Sequence, residues 1–234
     1  LNRFWPLWGD NYQKNEVTDL GGAQPIFDGF DVNVVKEGLP KHEFFTQKVL
    51  GAKFNADGTY AGVLATEERE ALGNPIPTHS GSFTVNFTFL KNFKLYLMAD
   101  WTKDQKIFNN TKLFSVIFQN NPDFVLYGKQ LGIVTTDPSV TPLTPGTAEY
   151  NDVAEKYARL NSNYDSNFIE DADFLKIREV SLSYSFKDLL PLIYANSYIN
   201  DLVIGFSARN ILTTTKYSGA DVEVNFNGSR SLSR

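Results

Sequence analysis

Cysteine is absent from this 234-residue chain, methionine occurs once and histidine twice. The missing thiols exclude a disulfide scaffold and any thiolate metal site. Neither His42 nor His79 has another histidine at ligand spacing, so no metal centre is expected. Basic residues are outnumbered, 22 Lys and Arg against 27 Asp and Glu, for a formal net charge of −5. That balance argues against a nucleic-acid partner, because binding phosphates requires a net basic face. Long apolar runs are also missing; none approaches the roughly 20 residues of a spanning helix. The mean hydropathy of −0.27 fits a soluble protein and fits a transmembrane barrel equally, since half of each barrel strand is polar. Residues Leu1 to Asp10 lack a charged segment followed by an apolar one, so they do not read as a signal peptide.

What the chain has is aromatic rings and strict alternation. Phe and Tyr number 19 and 11, and both favour strands, with Tyr also suited to the level where hydrocarbon meets water. From Glu179 the odd positions are Glu179, Ser181, Ser183 and Ser185, and the even ones Val180, Leu182, Tyr184 and Phe186. That is the period of a strand between two different environments. The rhythm returns in Leu202, Ile204, Phe206 and Ala208 against Val203, Gly205, Ser207 and Arg209. Upstream, Phe83, Val85, Phe87 and Phe89 alternate with Ser82, Thr84, Asn86 and Thr88, and after Leu90-Lys91-Asn92 the pattern resumes from Phe93 to Trp101. Two such runs joined by a short polar link predict a hairpin at about 82–103.

Between these pairs the chain is punctuated. Residues 1–40 read as loop, with Trp5, Trp8 and Tyr12 among scattered Gly and Pro. Phe44 to Phe54 reads as a strand, Asn55-Ala-Asp-Gly58 as a turn and Thr59 to Leu64 as its partner. Glu67 to Leu72 is expected to hold one or two helical turns, ended by Gly73-Asn-Pro-Ile-Pro77. Residues 104–146, with four prolines, read as irregular. A short helix is predicted near 147–160: Thr147 is its N-cap, and Tyr150, Val153, Ala154 and Tyr157 form one face.

Both alternating pairs have a shorter link at one end and long polar, aromatic-rich segments at the other. A soluble sandwich and a membrane barrel both alternate. Tyr184 and Phe186, closing the apolar stripe beside the connection, favour the barrel, whose hydrocarbon band is flanked by aromatic girdles. Barrel turns are short on the periplasmic side and long outside, which assigns Lys91-Asn92 and Lys187 to Asn200 to the periplasm, and 104–170 and 214–230 to the exterior.

Asn167-Phe-Ile-Glu-Asp-Ala-Asp-Phe-Leu-Lys-Ile-Arg-Glu-Val-Ser-Leu-Ser-Tyr184, followed by Ala208-Arg-Asn-Ile-Leu-Thr-Thr-Thr-Lys-Tyr-Ser-Gly-Ala-Asp-Val-Glu223, resembles the C-terminal barrel region of SusC/RagA-type TonB-dependent outer-membrane transporters. Glu37-Gly-Leu-Pro40, Leu72-Gly-Asn-Pro-Ile-Pro77 and Gly81-Ser-Phe-Thr-Val-Asn-Phe87 are similar to that family's preceding segments. Where the family reads Asp-Pro-Glu, this chain has Asp221-Val222-Glu223. The resemblance implies that residues 1–234 are a C-terminal portion of a large antiparallel transmembrane β-barrel in the bacterial outer membrane, without the plug domain or final strand. Such a portion is roughly a quarter to a third of a 22-stranded barrel and does not close alone. It also implies import of oligosaccharides or peptides, a SusD-like surface lipoprotein as partner, outer-membrane lipid around the wall, and TonB engaged through an N-terminal part outside this sequence. The competing reading is a secreted soluble β-sandwich that binds glycans.

No catalytic constellation or cofactor motif stands out, and an enzyme is not expected. Glu170, Asp171 and Asp173 read as solvated loop carboxylates rather than a calcium site. Glu179 and Arg209 fall on the lumen-facing parity, where pairing within the wall is the ordinary role. Lys176 and Arg178 fall on the lipid-facing parity but precede the apolar stretch, which places them above the hydrocarbon band, where the cost is small. Trp5, Trp8 and Tyr12 are candidate aromatic platforms for a ligand, and Lys216, Tyr217 and Asp221 candidates for a partner interface.

Overall fold

The computed structural model of the chain describes residues 18–19, 32–134, 138–188 and 201–223. They divide into two compact units, one built from Pro77–Asp104 with Ala172–Lys216, the other from the rest.

The first unit is a four-stranded antiparallel sheet. Its strands are β7 (His79–Phe89), β8 (Phe93–Lys103), β11 (Phe174–Ser185) and β12 (Val203–Thr215), in the spatial order β12-β11-β8-β7. The predicted hairpin is present, its turn closed by Leu90 and Lys91 at φ 47° and 65°. Partners in an antiparallel ladder share a face. Phe87 lies opposite Leu95, Leu95 opposite Leu182, and Leu182 opposite Phe206, so the four apolar stripes fuse into one surface. The matching polar row is Asn86, Tyr96, Ser181 and Ser207.

One irregularity decides the charges. Ile177 pairs with Ala99 and Glu179 with Met98, leaving Arg178 as an extra residue, while on the other side Ile177 pairs with Leu212 and Glu179 with Arg209. Asn210, within the skipped stretch of β12, takes φ 51°. A bulge reverses the parity of a strand. Leu175 and Ile177 therefore join Val180 and Leu182 on the apolar face, and Lys176 lies opposite Asp100 on the polar one. Arg178 Nε donates to Asp100 Oδ2 at 2.7 Å. The placement of Lys176 and Arg178 on the apolar parity is thus corrected.

The second unit holds three smaller antiparallel sheets and three helices. One sheet has the order β1-β2-β3-β6, from Thr18–Asp19, Asn33–Val35, Glu43–Thr46 and Glu70–Gly73. β4 (Val49–Phe54) pairs with β5 (Tyr60–Ala65), and β9 (Lys106–Phe108) with β10 (Ile169–Asp171). The expected strand over 44–54 is therefore two strands in different sheets. The helical turns expected at Glu67 to Leu72 give way to β6, because pairing with β3 offers that backbone a ladder and Glu43 accepts the Gly73 N–H at 2.8 Å.

Residues 104–146 are not wholly irregular. They contain α1 (Asn110–Ile117) and α2 (Pro122–Gln130), capped by Asn109 and Asn121, whose side chains accept from the Lys112 and Phe124 N–H groups. The predicted helix is α3 (Ala148–Ala158), with Thr147 accepting from Tyr150 N–H at 3.2 Å. Its buried face is the expected one, Tyr150, Val153, Ala154 and Tyr157, packed with Val49, Ala52, Val63 and Leu131. A second core gathers Val32, Phe44, Phe108, Leu113, Val116, Leu160 and Phe168, and Phe124 and Tyr127 border both. Side chains of α3 also serve the backbone of the β4–β5 hairpin: Glu155 Oε1 accepts from Ala52 N–H at 3.2 Å and Tyr150 Oη from Tyr60 N–H at 3.0 Å. At the hairpin tip, Gly58 has φ 80°, and a Cβ there would stand 2.9 Å from the backbone of Gly146.

Candidate functional site

The apolar face of the four-stranded sheet is open to its surroundings. Phe83 and Phe87 are each 56% exposed and Phe206 80%. Aromatic rings collect at the turn end: Phe87 on Phe89 at 5.8 Å, Phe89 on Phe93 at 5.2 Å, Phe93 on Tyr184 at 4.6 Å and Tyr184 on Phe186 at 4.7 Å between centroids. Trp101 ends the face at the other side, its indole lying over Gly81 where a Cβ would be 2.8 Å from Nε1. From Phe93 to Trp101 the strand runs about 26 Å at the usual rise. Tilted by about 40°, it spans about 20 Å, close to the apolar band of a membrane barrel. No helix among the described residues is long and apolar enough to cross a membrane.

On the polar face Glu179 accepts a hydrogen bond from Ser207 Oγ at 2.8 Å and pairs with Arg209 Nε at 3.4 Å. The two candidate residues are thus brought together. Most of Arg209 is exposed, so the pair is held loosely in solvent and contributes at most about 1 kcal/mol.

The acidic run at 170–173 is ion-paired residue by residue. Asp173 meets Lys103 at 3.5 Å, Asp171 meets Lys106 at 2.6 Å, and Glu170 meets Lys112 at 3.0 Å. Glu170 is the best served. It accepts from Ser218 N–H at 2.8 Å, from Ser218 Oγ at 2.8 and 2.9 Å, and from Asn109 Nδ2 at 3.3 Å. Burial works to raise its pKa, but the Ser218 N–H and the Lys112 ammonium outweigh it and leave the carboxyl below its ordinary value. Sequence reading missed this clasp because its members lie 48 to 61 residues apart. The signal was three lysines at 103, 106 and 112 mirroring carboxylates at 173, 171 and 170, an inverted order that an antiparallel pairing of β9 and β10 generates.

Of the interface candidates, Lys216 is exposed and Asp221 Oδ1 accepts from Glu223 N–H at 3.0 Å. Tyr217 is half-buried, its ring occupying the space a Cβ on Gly219 would need. Burial, with Glu170 nearby, raises its hydroxyl pKa. Trp5, Trp8 and Tyr12 lie outside the described residues. His79 Nδ1 lies 2.9 Å from Thr78 Oγ1 and 3.9 Å from Asp104, and no group of three or more His, Asp or Glu side chains among the described residues is placed to hold a metal. The turn at Asp57 is closed by its own carboxylate, which accepts from Thr59 N–H at 3.0 Å and Thr59 Oγ1 at 2.6 Å. Two cavities flank Lys112 and Arg159, of about 610 and 490 Å³, the smaller the more polar.

No protein-family model matches the chain. TonB-dependent receptor P39 of Formosa agariphila is 25% identical over 177 residues, covering 70% of this chain and 15% of that receptor. Among solved structures, the RagAB peptide importer in its closed-closed state matches with a TM-score of 0.55 at 19% identity, over 82% of this chain and 21% of that one. The RagAB peptide transporter matches with 0.55 at 17% identity over the same shares. The chain thus spans about a fifth of those structures and less of the curated relative. In sequence and in fold it resembles a stretch of a SusC/RagA-type TonB-dependent receptor, a class of the bacterial outer membrane. The likeness to the solved chains is one of fold: mostly β, with few helices. Among the described residues the four-stranded sheet is open, with the outer edges of β7 and β12 unpaired.

Proposed function

We propose that the chain is the C-terminal wall and outer-loop region of a TonB-dependent importer, seated in the bacterial outer membrane and taking up oligosaccharides or peptides without chemical change. The observation that carries this reading is the single apolar face shared by four strands of 11 to 13 residues, bounded by aromatic rings at both ends. Strands of that length suit a tilted crossing. In a soluble sandwich a second sheet about 10 Å away covers such a face; here its largest side chains remain exposed. The polar face, with its Ser and Thr rows and the Glu179–Arg209 and Arg178–Asp100 pairs, then lines the lumen.

On this reading Lys216, Tyr217 and Asp221 border a SusD-like lipoprotein, and TonB acts through a plug carried by another part of the receptor. Uptake tests the proposal: full-length receptor in cells without their own copy is offered labelled oligosaccharide and peptide pools, with and without functional TonB. TonB-dependent accumulation of either pool is the expected result, and its kind decides the substrate class. No accumulation, or accumulation indifferent to TonB, overturns the reading.

A further inference from the structure

The smaller cavity, about 490 Å³, stands out by charge. Its charged lining side chains are Lys48, Lys106, Lys112 and Arg159, and no carboxylate joins them among the described lining residues. This concentration occurs in a chain whose net charge is −5. The neutral lining includes Ser166 and Asn167 from the 3-10 turn Asp165–Phe168.

Three of the four cations have a carboxylate partner outside the lining. Lys106 is held by Asp171 at 2.6 Å, Lys112 by Glu170 at 3.0 Å, and Lys48 by Glu70 at 3.7 Å. Arg159, the C-cap residue of α3, has no side-chain hydrogen bond or ion pair among the described residues. The charges therefore leave a surplus of about one positive charge on a planar fork of donors, flanked by three carboxylate-paired ammonium groups. A guanidinium fork matches the paired oxygens of a carboxylate or sulfate. The volume lies within the range of small-molecule sites.

We propose that this cavity binds one anionic group, a carboxylate or a sulfate ester, carried by a small polar ligand such as a sugar. Arg159 makes the direct contact, and Lys48, Lys106 and Lys112 supply the field. The proposal does not depend on transport, so binding can fail while the import reading stands.

Equilibrium binding to the full-length receptor in detergent tests it, with glucose, glucuronate, glucose 6-sulfate and inorganic sulfate as probes at low salt. At least one acidic sugar is expected to bind, at least tenfold more tightly than glucose, and added salt is expected to weaken it. The preferred acidic sugar identifies the anionic group. Inorganic sulfate competing as well as the sugar shows that the anion alone is read, which still supports the site. Arg159→Ala is expected to lower affinity about tenfold, Arg159→Lys less, and Lys48→Ala to act in the same direction. Arg159 is exposed and its capping contact is made by its backbone, so thermal unfolding is expected to be unchanged in its variants. Glucose binding as tightly as its acidic derivatives, no probe binding at all, or Arg159→Ala leaving affinity unchanged overturns the proposal.

Discussion

A carboxylate is governed by its neighbours, and two acidic residues of the helical unit show opposite outcomes. Glu170 collects an ammonium and several hydrogen-bond donors and is held below its ordinary value; Asp165 is part-buried, and desolvation outweighs the pull of Arg69, so its pKa rises to about 6. For Asp165 the folded state favours the neutral acid. Its penalty is absent below the unfolded value of 3.8, grows as pH rises through 6, and is constant above. Asp165→Asn should therefore stabilise the turn at neutral pH, by about 1–3 kcal/mol, and be neutral near pH 3.5. Hydrogen exchange across 161–168 checks this. Greater protection of the variant at pH 7.5, with none near pH 3.5, is the expected result; equal protection at both refutes the burial argument. Lys216 offers a test of a different kind. It is exposed, whereas Tyr217 beside it fills the space over Gly219, so truncating Tyr217 would disturb its own loop. Lys216→Glu should weaken capture of a SusD-like partner severalfold in pull-downs from detergent extracts, with barrel assembly intact; undiminished capture removes Lys216 from the interface.

Individual elements were legible in the sequence where local chemistry alone determines them. Thr147 and the 3.6-residue spacing of Tyr150, Val153, Ala154 and Tyr157 specify α3, and alternation specifies β7, β8, β11 and β12. Asn121-Pro122 was an equally local signal, an N-cap followed by a first-turn proline, but the surrounding prolines masked it. The β6 strand and the Arg178 bulge were not legible, since both depend on partners distant in sequence: Phe45 for Ala71, Asp100 for Arg178. The bulge matters because it takes Lys176 and Arg178 off the face occupied by Leu182 and Phe206. With that face toward lipid, Phe206→Arg should cost about 2–4 kcal/mol if the site lies near the midplane, and Ser207→Arg about 0–1. Refolding of the full-length receptor into lipid vesicles under denaturant measures the difference, and equal costs at 206 and 207 contradict the assignment.

At the scale of the whole molecule the links between strands carry an orientation. β7 and β8 are joined by Leu90-Lys91-Asn92, whereas the chain leaves β8 at Lys103 and returns to the sheet only at Phe174, opposite Thr102. That excursion contains α1, α2, α3 and the β9–β10 pair, so the link at one end of the hairpin is a tight turn and the link at the other is a long excursion of the chain. Outer-membrane barrels keep their tight turns in the periplasm and their large segments outside, the side on which ligand and lipoprotein arrive. The stretch Pro138–Gly146 is the place to read this out: it has no helix or strand, and most of its residues are exposed. An epitope inserted between Val140 and Thr141 of the full-length receptor should be labelled by antibody on intact cells. The same epitope between Lys91 and Asn92 should be labelled only after the outer membrane is permeabilised. The reverse pattern would invert the topology, and labelling of both sites on intact cells would remove the membrane from between them and, with it, the case for a lipid-facing sheet.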